Sequence, residues 1–240
     1  MRVRLTDDSF RALARSSPWR FSALHFTRRA TTARPEGAVE AWLRRPGWLR
    51  VLLPDGSERI ETGVPYSSST FSVTAVGAVQ EMTSEPPHQA EPTYRPDGLV
   101  ARRPDAWVWS HADPMFENYQ WVAMLDPAEL ASGTVLSELR EDVLFGRPVW
   151  RARAAAVDGY DPVCSCCPLL WSSVSDDLEY GDSPRRPQGR AYPQAYNVAL
   201  DVGTGVVVSL RPVGGSRPDD WFEVEIHGVD QTANVPPLRQ

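Results

Sequence analysis

All three cysteines of this chain fall in one four-residue stretch, Cys164-Ser165-Cys166-Cys167, with Pro168 directly after it. Thiolates are soft nucleophiles and soft metal ligands, so three of them in one loop point at metal or redox chemistry. Cys164 and Cys167 make a Cys-x-x-Cys, and Cys164 and Cys166 make an overlapping Cys-x-Cys. A tetrahedral zinc site wants four ligands, or three plus water. A cuprous ion accepts two or three thiolates. No second Cys-x-x-Cys or His-x-x-x-His follows, so only His25, His88, His111 and His227, or a twin subunit, could complete a set of four. A redox reading also stands, although no thioredoxin-like βαβ pattern surrounds the motif. The plain alternative is packing, with Cys166 and Cys167 as small apolar groups beside Leu169, Leu170 and Trp171.

Other residue types carry less. Asp176, Asp177 and Glu179 sit in a polar stretch from Ser172 to Arg190, read as a solvated loop with Arg185 and Arg186 facing water. An acid–base pair needs a partly desolvated carboxyl, and nothing in the local sequence supplies one. No phosphate-cradling glycine loop, nucleophile elbow or His-Glu-x-x-His helix occurs, so an enzyme is the least favoured class. The chain has no lysine, which removes Schiff-base chemistry. Its net charge of −6 argues against a general nucleic-acid binder. The first residues show no apolar leader and no run of membrane-spanning length, so a cytoplasmic protein without a transmembrane segment is expected.

The elements that must position these groups are mainly strands. At 240 residues and 42% hydrophobic content, a single β-rich domain over the whole chain is expected. Thr6 to Ser17 reads as a short helix with Leu5, Phe10, Leu13 and Ala14 on one stripe. Strands follow at 19–29, 38–45, 48–53, 99–103, 106–110 and 118–125. Asp126 to Leu130 opens a short helix. A hairpin covers 135–157, another covers 192–212 through Gly203-Thr204-Gly205, and 220–229 is the last strand. The serine-, threonine- and proline-rich stretch 63–97 reads as a long excursion, partly mobile over 83–97, and 230–240 as a frayed tail. Nine to eleven locally linked strands with two or three short helices favour an antiparallel sheet, α+β in class.

Four stretches carry a resemblance to the bacterial lipoprotein-carrier (LolA-like) superfamily. They are Trp19 to Thr27; Val39 to Val51, with Arg45-Pro46-Gly47 between two strands; Asp105-Ala106-Trp107-Val108-Trp109; and Asn197 to Leu210 with Trp221 to Val229. The resemblance implies a strongly curved antiparallel half-barrel with helices covering the concave side, and a noncatalytic protein holding an apolar small molecule or lipid there. Phe21, Leu24, Phe26, Trp42, Trp107, Trp109, Val198, Leu200, Phe222 and Val224 would then line the wall. The missing export signal, the inserted excursion and the cysteine cluster depart from that family. Two alternatives remain: a thiol-based protein with a zinc or cuprous ion on Cys164, Cys166 and Cys167, and a regulatory module that docks a protein partner through its surface excursions.

Overall fold

The computed structural model describes residues 3–31, 37–62, 71–75, 78–82, 91–104, 113–162 and 164–231, with 71–75 and 78–82 as backbone alone. The chain opens with α1 (Asp7–Ser16). Thr6 caps it: its hydroxyl accepts from the Ser9 N–H, and the Ser9 hydroxyl accepts from the Thr6 N–H. Four strands follow as a meander, β1 (Ala23–Ala30), β2 (Gly37–Arg44), β3 (Trp48–Leu52) and β4 (Glu58–Thr62). Two small hairpins come next, β5 (Phe71–Ala75) with β6 (Ala78–Met82), and β7 (Thr93–Tyr94) with β8 (Val100–Arg102). After α2 (Gln120–Leu125) the chain makes β9 (Thr134–Leu144) and β10 (Arg147–Ala156), then α3 (Ser173–Tyr180), then β11 (Ala195–Asp201), β12 (Val207–Val213) and β13 (Phe222–Val229).

Nine strands form one antiparallel sheet in the order β4-β3-β2-β1-β13-β12-β11-β10-β9. The first and last strands of the series, β1 and β13, pair at its centre and join the two meanders. The sheet does not close into a barrel; β4 and β9 are its edges. Both edges are charged and exposed, with Glu58 and Arg59 on one and Glu138, Arg140, Glu141 and Asp142 on the other. Such edges discourage pairing with a second chain.

Period-two alternation decides which face is covered. Leu24, Phe26 and Ala30 of β1, Ala41 and Leu43 of β2, Phe222, Val224 and Ile226 of β13, and Val198 and Leu200 of β11 are buried in one core. Phe10 and Leu13 of α1 and Trp121 and Met124 of α2 complete it. The Phe26 and Trp121 rings lie 5.8 Å apart, which sets α2 against this inner face.

The mainly β antiparallel architecture with few short helices agrees with the sequence reading; β4 is a strand beyond those expected, and three further elements differ. Residues 118–125, expected as a strand, include the helix α2. Every residue from Trp121 to Leu125 is buried, so the run has no polar positions to reveal its period. Asp126 does not cap a helix there; it pairs with Arg103, and only a single 3-10 turn, Ala128–Leu130, follows. The expected solvated loop 172–190 contains α3, with Ser172 and Ser175 forming a capping box. The resemblance stretch 105–109 lies outside the described residues, as does most of the stretch 63–90 and the tail from 232.

A candidate thiolate centre

The loop between β10 and α3 begins at a tight approach. Gly133, at φ +61°, faces the backbone of Tyr160 so closely that a Cβ would sit 2.2 Å from its Cα. Only glycine fits both the turn and the contact. Tyr160 thereby enters the core at 2% exposure, and its hydroxyl donates to Glu129 Oε2. The same network then grips the chain just past the cysteines. The Leu169 N–H donates to Glu129 Oε2 at 3.3 Å, and the Leu170 N–H donates to the Tyr160 hydroxyl at 3.0 Å. Leu169 and Leu170 drop their side chains into the core.

Burial raises the Glu129 carboxyl to about 7, against the hydrogen bonds from Tyr160 and Leu169 that favour its charged form. Its Oε1 is buried with no hydrogen-bond partner. Burial first, and then the neighbouring Glu129, push the Tyr160 phenol well above its ordinary value.

A second clamp follows. The Trp171 indole N–H donates to Asp176 Oδ1 at 3.0 Å, while Arg190 and Tyr192 donate to Oδ2 at 2.6 and 2.8 Å. The Tyr192 ring tilts against Trp171, and the Arg217 guanidinium lies 4.0 Å from the Trp171 ring centre. Tyr196 donates to the Trp171 carbonyl. Burial alone would raise the Asp176 carboxyl, but the bonds from Tyr192, Arg190 and Trp171 outweigh it and hold it below its ordinary value. Asp176, read from sequence as solvated, is thus a buried anchor.

Just ahead of these clamps the three cysteine sulfurs converge, all within 4.8 Å of one another. Cys164 Sγ is 2.9 Å from Cys166 Sγ, and Cys166 Sγ is 3.6 Å from Cys167 Sγ. Cys166 is exposed; Cys164 and Cys167 are half-buried. Ser165 donates to Glu179 of α3 at 2.6 Å, which ties the loop's tip to the helix. Burial would raise Cys164, but hydrogen bonds from the Cys166 and Cys167 thiols outweigh it and lower its pKa. Cys166 is raised by its bond to Cys164 and then by burial. Cys167 is pushed up to about 12 by burial and then by its bond to Cys164. The three sulfurs therefore form a bonded chain from Cys164 to Cys166 to Cys167, with Cys166 donating to Cys167.

Among the described residues these three are the only convergent group of metal-ligating side chains. His25 and His227 lie elsewhere, on β1 and β13, with rings 4.9 Å apart. His25 Nε2 bonds Glu40 at 2.7 Å, and His227 Nε2 bonds the Thr27 hydroxyl at 2.7 Å. His88 and His111 are outside the described residues.

Of the expected wall, Leu24, Phe26, Val198, Leu200, Phe222 and Val224 share the inner face, and Phe21 joins their core just ahead of β1. Trp42 is on the other face. Its register opposite His25 and Arg50 puts it between them, stacked on the imidazole at 4.7 Å with the guanidinium 4.8 Å from the ring centre. Trp107 and Trp109 lie outside the described residues. The sequence reading passed over Glu129, Tyr160, Arg190 and Tyr192. Gly133 and Gly159 around Tyr160 were the local sign of a close-packed turn, but nothing nearby announces Glu129 as its partner.

No helix of the described residues is long and apolar enough to cross a membrane. No protein-family model matches the chain, and no curated protein does either.

Proposed function

We propose that this protein holds a soft metal ion on Cys164, Cys166 and Cys167. The observation that carries this reading is the approach of three Sγ atoms within 4.8 Å on a loop clamped at its downstream end. Sulfurs sharing an ion at about 2.3 Å stand roughly 3.8 Å apart. The Cys166–Cys167 separation of 3.6 Å is already close to that, and the exposed Cys166 needs to swing by about 1 Å from Cys164 to match it. Three thiolates suit a cuprous ion, which is content with three-coordination; zinc would need water in a fourth position. Binding must release the thiol protons, so affinity rises with pH. The test is anaerobic titration of the reduced protein with cuprous ion or zinc, followed by gel filtration and elemental analysis. One ion retained per chain, and none by a variant with all three cysteines changed to serine, is the expected result. Equal retention by both proteins rejects the reading.

A second reading follows the lipoprotein-carrier resemblance: a curved sheet accepting an apolar ligand on its inner face. The support is that six of the named wall residues, Leu24, Phe26, Val198, Leu200, Phe222 and Val224, line up on one face of one sheet under α1 and α2. A ligand would take the place of helix side chains such as Trp121. Lipid extraction and native mass spectrometry of the purified protein test it; a ligand-free mass throughout rejects it.

A further inference from the structure

We infer that Cys164 and Cys166, rather than the Cys-x-x-Cys pair, form a reversible disulfide when the metal-free protein meets a hydroperoxide, with Cys167 left as a free thiol. The inference does not rest on metal binding; it concerns the same sulfurs in the apoprotein.

The geometry selects the pair. Cys164 Sγ and Cys166 Sγ are 2.9 Å apart, nearer than Cys166 and Cys167 at 3.6 Å. Disulfide formation needs the two sulfurs to approach about 2.05 Å, so the shorter gap asks for the smaller movement. Exposure requires that the pair include Cys166, since Cys164 and Cys167 are both half-buried. Cys167 also immediately precedes Pro168 and the anchored Leu169. The backbone around Cys166 is a turn tied to α3 by the Ser165 bond to Glu179 and, within itself, by the Cys166 and Cys167 amides on the Cys164 sulfur. Cys166 can therefore move toward Cys164 without disturbing the core, whereas moving Cys167 pulls on the Glu129–Tyr160 network.

The chemistry balances with a hydroperoxide as oxidant. One sulfur of the pair, as thiolate, attacks the peroxide and breaks its O–O bond. It becomes a sulfenic acid, and the departing alkoxide or hydroxide takes up the proton that the thiol gave up. The second sulfur then attacks the sulfenic sulfur, the S–O bond breaks, and the hydroxyl leaves as water with the second thiol's proton. Two thiols are oxidised to one disulfide, and one hydroperoxide is reduced to an alcohol, or to water, plus water. A thiol reductant returns the pair by exchange.

The experiment uses the full chain, stripped of metal with a chelator and reduced. Hydrogen peroxide is added at one equivalent, free thiols are blocked with an alkylating reagent, and the peptide carrying residues 164–167 is sequenced by tandem mass spectrometry. The expected result is alkyl label on Cys167 alone, reversed by prior reduction. Cys167→Ser should lose its two thiols at the parent rate. Cys166→Ser should lose them on the order of tenfold more slowly, because the near neighbour is gone. Label on Cys166 alone, an intermolecular disulfide as the main product, or a Cys167→Ser variant that resists oxidation would overturn the inference. The label pattern of the parent protein decides without any variant. A protein that retains no metal ion would defeat the metal reading and leave this one standing.

Discussion

Asp176, downstream of the cysteine loop, accepts from Trp171, Arg190 and Tyr192, so both of its oxygens are matched and one bond comes from a cation. Glu129, also tied to the loop's downstream end, accepts from Tyr160 and Leu169 on one oxygen and leaves Oε1 unmatched. Both are buried carboxyls clamping the same segment, yet one titrates below and the other above its ordinary value. Burial pushes both upward. The difference is the number and charge of the donors that each meets. A buried carboxylate that meets a cation keeps its charge at neutral pH; a buried acid that meets only neutral donors keeps its proton up to about 7, and ionising it costs stability through desolvation although its hydrogen bonds favour the charge.

The largest effect expected from breaking this contrast is at Asp176. Asp176→Ala leaves Arg190, the Tyr192 hydroxyl and the Trp171 indole without their common acceptor. Removing one member of a buried ion pair costs about 3–5 kcal/mol. Arg190 keeps some access to water, which places the expected loss near the lower end. Urea denaturation at pH 7 measures it, and a loss under about 1 kcal/mol, the range of surface pairs, would mean that the clamp is not holding the fold.

Glu129 sharpens the contrast through pH. Its folded-state value of about 7 exceeds the ordinary 4.5, so its contribution to stability is complete below 4.5 and is lost as pH rises through 7. The shift corresponds to about 3 kcal/mol. Asp176 has the reverse sign: its contribution is complete above its ordinary 3.8 and is lost as pH falls below that. Glu129→Gln should therefore match the parent near pH 4.5 and exceed its stability at pH 8 by up to about 3 kcal/mol. Parallel stability–pH curves for parent and variant across this window would show that Glu129 is not the titrating group.

Tyr160→Phe probes the neutral side of the comparison. It strips Glu129 of its hydroxyl donor and leaves the buried Leu170 N–H unsatisfied, at about 1–3 kcal/mol. Because those bonds fix the chain just past Cys167, the variant should also raise the alkylation rate of Cys167 more than that of Cys166. Equal acceleration of both would place the disturbance elsewhere.

How much of this was legible beforehand differs between the sheet and the loop. Alternation carried the strands: Val39, Ala41 and Leu43 against Glu40 and Arg44, and Phe222, Val224 and Ile226 against Glu223 and Glu225, read as covered and open faces and fold that way. The edge β4 was passed over because Glu58-Arg59-Ile60-Glu61-Thr62 has no covered face to leave a pattern. The cysteine cluster was legible as local composition, and the convergence of its sulfurs follows from adjacency. Its support was not. Glu129 and Tyr160 are 31 residues apart, and Asp176 meets Arg190 and Tyr192 across 14 and 16, so each looked like an ordinary polar residue in its own neighbourhood. A short polar stretch reads as solvated unless a distant partner desolvates it, and periodicity holds no record of such partners. Trp42 shows the same limit on the sheet: its type suggested an apolar wall, and only the register to His25 and Arg50 assigns its face.

The smallest effect separates the helix α3 from the carboxylate that it carries. Ser172 accepts from the Ser175 N–H at 3.3 Å, and Ser175 accepts from the Ser172 N–H at 2.9 Å, so the pair caps the first turn. Asp176 lies in that turn, where a negative charge also favours the helix N-terminus. Ser172→Ala removes one half of the cap and should cost about 1 kcal/mol. If Asp176 is held chiefly by Arg190, Tyr192 and Trp171, the double change Ser172→Ala with Asp176→Ala should cost close to the sum of the single changes. A double variant markedly less damaged than that sum would mean that the cap acts by aiming Asp176, and that the cationic clamp depends on the helix start rather than on its own three donors.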